Sequence, residues 1–190
     1  YGGMSFSPDG NYLYYTSSGK GNVNGSLFQV PVLGGTAKKV IDGIWGKVSF
    51  SPDGKQISYF SYVDDEDRLM IANADGTEQR VIAVRKGNES FVSGLQGPAW
   101  SPDGKTIATT IGTIVPQSMS VATVAISTVE IIQFSAPKFS FTCDVTWLAD
   151  GKSVLIHARE TDTQVKSLWQ ISYPSGEAKQ ITNDLITRFS

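Results

Sequence analysis

Two triplets, Gly104-Lys105-Thr106 and Gly151-Lys152-Ser153, have the residue types that end a phosphate-binding loop. Such a loop needs another glycine five residues before the glycine of the Gly-Lys pair, and a helix whose N-terminus points at the phosphate. Ala99 and Thr146 stand at those positions and no helical pattern follows, so the triplets do not predict nucleotide binding. The run Asp64-Asp65-Glu66-Asp67 clusters four carboxylates, the ligand type preferred by calcium and magnesium. It lacks the alternating spacing and internal glycine of a calcium loop, so the expectation is a solvated hairpin tip and no metal site. Cys143 and His157 are each alone of their kind. One thiol forms no internal disulfide, and one histidine supplies no metal-binding pair. Cys143 sits in the alternating stretch "FSFTCDVTW" and reads as a small packed residue. A Gly-x-Ser-x-Gly nucleophile elbow is absent, and no Ser/His/Asp set is suggested by spacing. The expectation is a chain without enzymatic chemistry or cofactor of its own.

A motif that recurs more often than any of these is Ser-Pro-Asp-Gly. Aspartates precede glycines at 9, 53, 103 and 150, separated by 44, 50 and 47 residues. Three positions before each stands an aromatic residue: Phe6, Phe50, Trp100 and Trp147. Four positions after each stands an aliphatic one: Leu13, Ile57, Ile107 and Val154. Proline presets φ near −65°, aspartate suits the next turn position, and glycine takes the positive φ that reverses the chain. In the fourth copy Leu148-Ala149 replace Ser-Pro. A shared catalytic role would not survive that loss, whereas a turn would.

Each unit has a second half. Leu27-Phe28-Gln29-Val30, Leu69-Met70-Ile71-Ala72 and Leu168-Trp169-Gln170-Ile171 are followed by glycine turns at Gly34-Gly35, Asp75-Gly76 and Ser175-Gly176. The third unit, "SMSVATVAISTVEIIQ", has strand-forming residues but no glycine turn, and its register is not fixed by pattern. Segments between turns are short, alternating and rich in Val, Ile, Tyr, Phe and Thr, which favours strands. Four antiparallel strands repeated every 47 residues or so is the pattern of a β-propeller blade. One such sheet cannot bury both faces alone, and neighbouring blades supply the cover. The expected fold is all-β: a β-propeller of four blades of four antiparallel strands, at approximately 1–43, 44–90, 91–138 and 139–186, within a larger propeller of six to eight blades. The chain begins inside a repeat and ends where a fifth unit would start, so it is expected to be a piece of a longer protein.

"FSPDGKQISYF" followed by "LMIANADGTEQRVI" resembles the WD-repeat-like propeller repeats of the TolB type. "LWQISYPSGEAKQITND" is similar to propeller segments of bacterial receptor-like serine/threonine kinases. The resemblance implies a bacterial, periplasmic or extracytoplasmic location and an interaction or sensory role. The alternative is the substrate-selecting propeller of a serine peptidase whose catalytic domain lies outside this chain.

Net charge is −2 with a pI near 5.4, so no basic excess points to nucleic acid. No apolar run is long enough to cross a bilayer as a helix, and no membrane insertion by this segment is expected. The expected partners are another protein or a small ligand, and further blades of the parent chain or a second copy. In an up-and-down blade the Ser-Pro-Asp-Gly and glycine turns share one face of the disc. The opposite face collects the dissimilar connections 17–25, 62–68, 111–118 and 159–166 and the links 41–46, 84–96 and 134–142. Variable loops on a rigid scaffold carry binding. The residues expected there are Trp45, Asp64, Asp65, Glu66, Asp67 and Arg159. Trp45, between Gly43 and Gly46, could face the central channel or a partner, and packing at a blade edge is the first expectation for it. Asn24-Gly25-Ser26 and Asn88-Glu89-Ser90 match the glycosylation pattern and nothing more.

Overall fold

The computed structural model describes residues 2–19, 24–91, 97–134, 137–161 and 163–182. Among them there is no helix, and every strand pairing is antiparallel. The first unit comprises β1 (Gly3–Phe6), β2 (Tyr12–Ser17), β3 (Gly25–Pro31) and the start of β4 (Lys38–Phe50). The end of β4 opens the second unit, which continues through β5 (Gln56–Val63), β6 (Glu66–Asn73) and β7 (Arg80–Lys86). The third has its first strand in two pieces, β8 (Glu89–Phe91) and β9 (Ala99–Trp100), both pairing with β10 (Thr106–Thr113). It ends with β11 (Ser118–Ala125) and β12 (Ile131–Gln133). The fourth is β13 (Phe139–Trp147), β14 (Ser153–Glu160), β15 (Ser167–Ser172) and β16 (Ala178–Gln180).

The core lies between units. Tyr14, Leu27, Ile41, Ile44, Ile57 and Tyr59 join the first unit to the second. Phe60, Leu69, Ile71, Phe91, Trp100 and Ile107 join the second to the third. Ala108, Val121, Phe139, Val145, Ile156 and Trp169 join the third to the fourth. Successive side chains of a strand point to opposite faces, so Ile107 and Ala108 on β10 serve different clusters. All of β10 except Thr113 is buried, because its sheet is covered on both sides.

The turns at Asp9-Gly10, Asp53-Gly54, Asp103-Gly104 and Asp150-Gly151 are built alike. Gly10, Gly54, Gly104 and Gly151 have φ of 72°, 70°, 73° and 67°. Asp53 Oδ1 accepts from the Lys55 N–H at 3.1 Å and from the Ser51 hydroxyl at 2.6 Å, and Ser51 Oγ in turn accepts from the Gln56 N–H at 2.9 Å. Ser101 and Asp103 repeat this network. The fourth turn lacks the serine, yet Lys152 N still donates to Asp150 Oδ1 at 3.0 Å. Proline does more than set φ. A Cβ placed on Gly54 would meet Pro8 at 3.3 Å, and one on Gly104 would meet Pro52 at 3.6 Å, so each ring lies against the next unit's turn.

Two expectations from the sequence are corrected. The third unit's register is definite: Val124 pairs Ile107 and Ile131 pairs Val124. Its turn uses Val129 at φ 54° where the second and fourth units use Gly76 and Gly176. Several connections taken as long loops are partly strand, while their positions 20–23, 92–96, 135–136 and 162 lie outside the described residues. Val63 pairs Glu66, leaving only Asp64 and Asp65 (φ 55° and 59°) as the turn, and Thr113 pairs Ser118. The link 41–46 lies inside β4, which bends at Gly43 and Gly46 (φ 77° and 76°).

Candidate functional site

The bend in β4 brings Trp45 beside the β5–β6 hairpin and the β7–β8 link. Trp45, Tyr62, Asp65, Asp67, Arg85, Lys86, Glu89, Ser90 and Ile114 line a cleft of about 340 Å³ there. Two kinds of segment meet in it: second connections (Tyr62 to Asp67, Ile114) and links between units (Trp45, Arg85 to Ser90). Of the six residues singled out from sequence, Trp45, Asp65 and Asp67 are in this cleft.

Local rules explain the arrangement. Two successive residues at positive φ make a tight primed hairpin turn, and aspartate tolerates that conformation. Asp64 and Asp65 therefore form the exposed tip, and Glu66 and Asp67 are pulled into β6. The expectation of a wholly solvated tip fails at Asp67, which is 8% exposed. Alternation along β6 puts it on the same side as Leu69 and Ile71, both at 0%. That signal was present in "EDRLMIAN".

Asp67 Oδ2 accepts from the Ser90 hydroxyl, and its carboxylate also takes the Phe91 N–H. Burial is the larger influence and pushes its pKa above the usual carboxylate value. Glu66 is pulled down by Lys86, whose Nζ donates at 2.7 Å, and then by Arg68. The Tyr62 hydroxyl donates to Asp65 Oδ1 at 2.9 Å, which raises the tyrosine's pKa. Arg85 stacks its guanidinium 5.5 Å from the Phe91 ring centre and lies 3.5 Å from Glu89. Its Nη1 donates to the Val84 carbonyl at 3.0 Å, and its buried Nε has no hydrogen-bond partner among the described residues. Arg85, Lys86 and Glu89 were not anticipated, because only the inter-unit register brings the β7–β8 link to Trp45.

Arg159 stands apart on β14, donating to Ser140 Oγ at 3.1 Å and to Gln164 at 3.3 Å. Asp64 points outward, 4.0 Å from Arg68. Among the described residues no three His, Cys, Asp or Glu side chains converge as metal ligands. The Gly-Lys-Thr and Gly-Lys-Ser triplets are turns entering β10 and β14.

A second concavity, about 530 Å³, is lined by the first strands of all four units, with Met4, Phe6, Lys47, Val48, Ala99 and Asp144 among its residues. Lys47 and Asp144 occupy the same repeat position, as do Gly3 and Gly97. Lys47 Nζ donates to Asp144 Oδ1 at 2.8 Å. The bare glycine at 97 makes room for the Lys47 stem, since a Cβ there would fall 2.9 Å from Lys47 Cγ and 2.3 Å from its carbonyl oxygen. Asp144 sits in a bulge of β13 at φ 29°. Such bulges re-aim side chains.

No protein-family model matches the chain. It is 32% identical over 115 residues to dipeptidyl-peptidase 5 of Porphyromonas endodontalis, covering 57% of this chain and 16% of the peptidase. It is 27% identical over 116 residues to an uncharacterised protein of Agrobacterium fabrum, covering 56% of this chain and 38% of the relative. The chain thus spans well under half the length of these two relatives. Among solved structures it superposes on TolB of Acinetobacter baumannii with a TM-score of 0.73 and 18% identity, covering 91% of this chain and 42% of TolB. For a putative TolB of Agrobacterium tumefaciens the values are 0.74 and 16%, with 93% and 63% covered. An oligogalacturonate lyase of Vibrio parahaemolyticus matches at 0.71 and 12%, over 95% of this chain and 51% of the lyase. The chain has a TolB-like β-propeller fold.

Proposed function

We propose that this chain is a four-bladed segment of a larger TolB-like propeller and that it acts as a non-enzymatic binding module. Its partner, a protein or small ligand, docks on the face holding the cleft at Trp45, Tyr62 and Asp67. The observation that carries this reading is the cleft itself: an aromatic wall and charged groups gathered from two units on a rigid scaffold. The TolB likeness, and the resemblance of the last unit to receptor-kinase propellers, favour an extracytoplasmic, sensory or interaction role. The remaining blades come from the parent chain or a second copy.

The test is capture of a native partner by the wild-type chain and by two sets of variants. Trp45→Ala and Asp65→Ala alter the cleft face, while Asp9→Ala and Asp103→Ala alter the turn face. Loss confined to the cleft variants is expected, and equal loss from both faces overturns the reading.

A second reading is favoured by the 32% identity to a dipeptidyl-peptidase: a non-catalytic propeller that selects substrates for a peptidase domain encoded elsewhere in the parent protein. An α/β-hydrolase domain in the parent gene would decide for it.

A further inference from the structure

The charges around the cleft do not balance locally. Lys86 is held by Glu66 at 2.7 Å, Arg68 by the same glutamate at 3.0 Å, and Arg85 lies 3.5 Å from Glu89. Among the described residues, Asp65 and Asp67 are left without a cationic partner. Asp65 has only the Tyr62 hydroxyl, and Asp67 only Ser90 and the Phe91 N–H. Asp67 is 8% exposed as a residue, and a carboxylate held in such a place without a counter-charge is costly, because hydrogen bonds replace only part of the lost hydration. Asp67 nonetheless lines an open cleft rather than a sealed core, and the aromatic rings of Trp45 and Tyr62 line the same space. Ring faces attract cations, most strongly where water is displaced.

We propose, building on the reading of this face as the binding face, that the cleft takes one organic cation. The group is an alkylammonium or guanidinium, as on a lysine or arginine side chain. It is held by the carboxylates of Asp67 and Asp65 with its alkyl stem against Trp45 and Tyr62. The volume of about 340 Å³ is at the small end of ligand pockets, roughly 300–1,000 Å³, and suits one side chain with its flanking backbone. Lys86 is paired with Glu66 and Arg85 lies beside Glu89, so neither serves as the counter-charge of Asp65 or Asp67.

The test titrates the 190-residue chain with N-acetyl-arginine amide, N-acetyl-lysine amide and the neutral N-acetyl-citrulline amide, read by calorimetry and by the Trp45 indole resonance. Saturable binding of the two cations in the millimolar range is expected, with citrulline weaker by roughly tenfold or more. Asp67→Asn and Trp45→Leu should each weaken the arginine probe about as much, and Asp9→Asn on the turn face should not. Putrescine separates the sources of the cation: tighter binding than the lysine probe assigns a free amine, and weaker binding a peptide side chain. Equal binding of citrulline, undiminished binding by Asp67→Asn, or no binding of any cation overturns the inference. If cations fail to bind while the cleft variants still lose the captured partner, only the ligand class falls and the binding face stands.

Discussion

Asn88 presents both ends of its side-chain amide to the backbone of Val115. Nδ2 donates to the Val115 carbonyl at 2.8 Å and Oδ1 accepts from its N–H at 3.0 Å, as a neighbouring strand would. Asn24 does the same to Tyr62, donating to its carbonyl and accepting from its N–H at 3.1 Å. Both asparagines belong to sequences that match a glycosylation pattern, and both amides are occupied in holding the next unit. Asn88→Asp keeps the acceptor but sets a carboxylate against the Val115 carbonyl. It should cost about 1 kcal/mol or somewhat more, measured by urea unfolding, with Asn88→Ala slightly milder. An unchanged midpoint for Asn88→Asp would show that the paired contact adds nothing.

Val129 occupies a left-handed conformation that a β-branched residue resists. Val129→Gly should therefore stabilise the chain by about 1 kcal/mol, raising Tm by roughly 2–4 °C. The reverse change at the equivalent turn, Gly76→Val, should be strongly destabilising, since a Cβ there would also strike the Val40 carbonyl oxygen at 2.3 Å. Scanning calorimetry of both variants checks the pair of signs.

Gly97→Ala should cost about 3 kcal/mol, because the added methyl would meet the Lys47 carbonyl oxygen at 2.3 Å, and moving the Lys47 stem, whose Cγ is at 2.9 Å, does not relieve that backbone clash. The ion pair beside it is worth far less. Lys47 and Asp144 side chains are 33% and 63% exposed, and a double-mutant cycle with alanine should give a coupling of about 0.2–1 kcal/mol that shrinks with salt. A coupling above that range would mean that the pair is shielded from water far more than its exposure indicates.

Asp67 and the turn aspartates should push acid stability in opposite directions. The folded-state pKa of Asp67 is raised by burial, so the native state holds this proton to higher pH than the unfolded chain does. Its contribution weakens as pH rises from the unfolded value through the folded one, and the full penalty applies at neutral pH. Asp67→Asn should thus raise Tm by on the order of a degree or two at pH 7, and by less below pH 4. Asp9, Asp53 and Asp103 are lowered, first by the hydroxyls of Ser7, Ser51 and Ser101. Their stabilisation is complete above the unfolded pKa and is lost as pH falls through the folded value. A Tm that drops at pH 7 in Asp67→Asn would contradict the assignment.

What the sequence made legible follows from how local each feature is. The Ser-Pro-Asp-Gly turns are written in four adjacent residues whose φ requirements and hydrogen bonds are satisfied within the turn, so they could be read directly. The third unit's turn could not, because Val129 breaks the glycine rule that identified the others. The cleft was half legible. Trp45 stands out between two glycines, but Arg85 and Glu89 reach it only through the register between units. Asp67 was hidden inside an acidic run whose charge suggested solvent, although its spacing from Leu69 and Ile71 placed it inward. Proline's second role, against the next unit's glycine, depends on a neighbour 46 to 52 residues away in sequence.

Among the described residues the three clusters lie between units, so within this chain the second and third units are covered on both faces and the first and fourth on one. The chain should therefore fray. Amides of β5, β6, β10 and β11 will exchange with solvent most slowly, and those of β1 and β16 most rapidly. A variant at an inner interface will weaken everything outward of it, whereas one in an end unit will leave the rest protected. The cation cleft sits at the interface between the two doubly covered units, where the scaffold opens last.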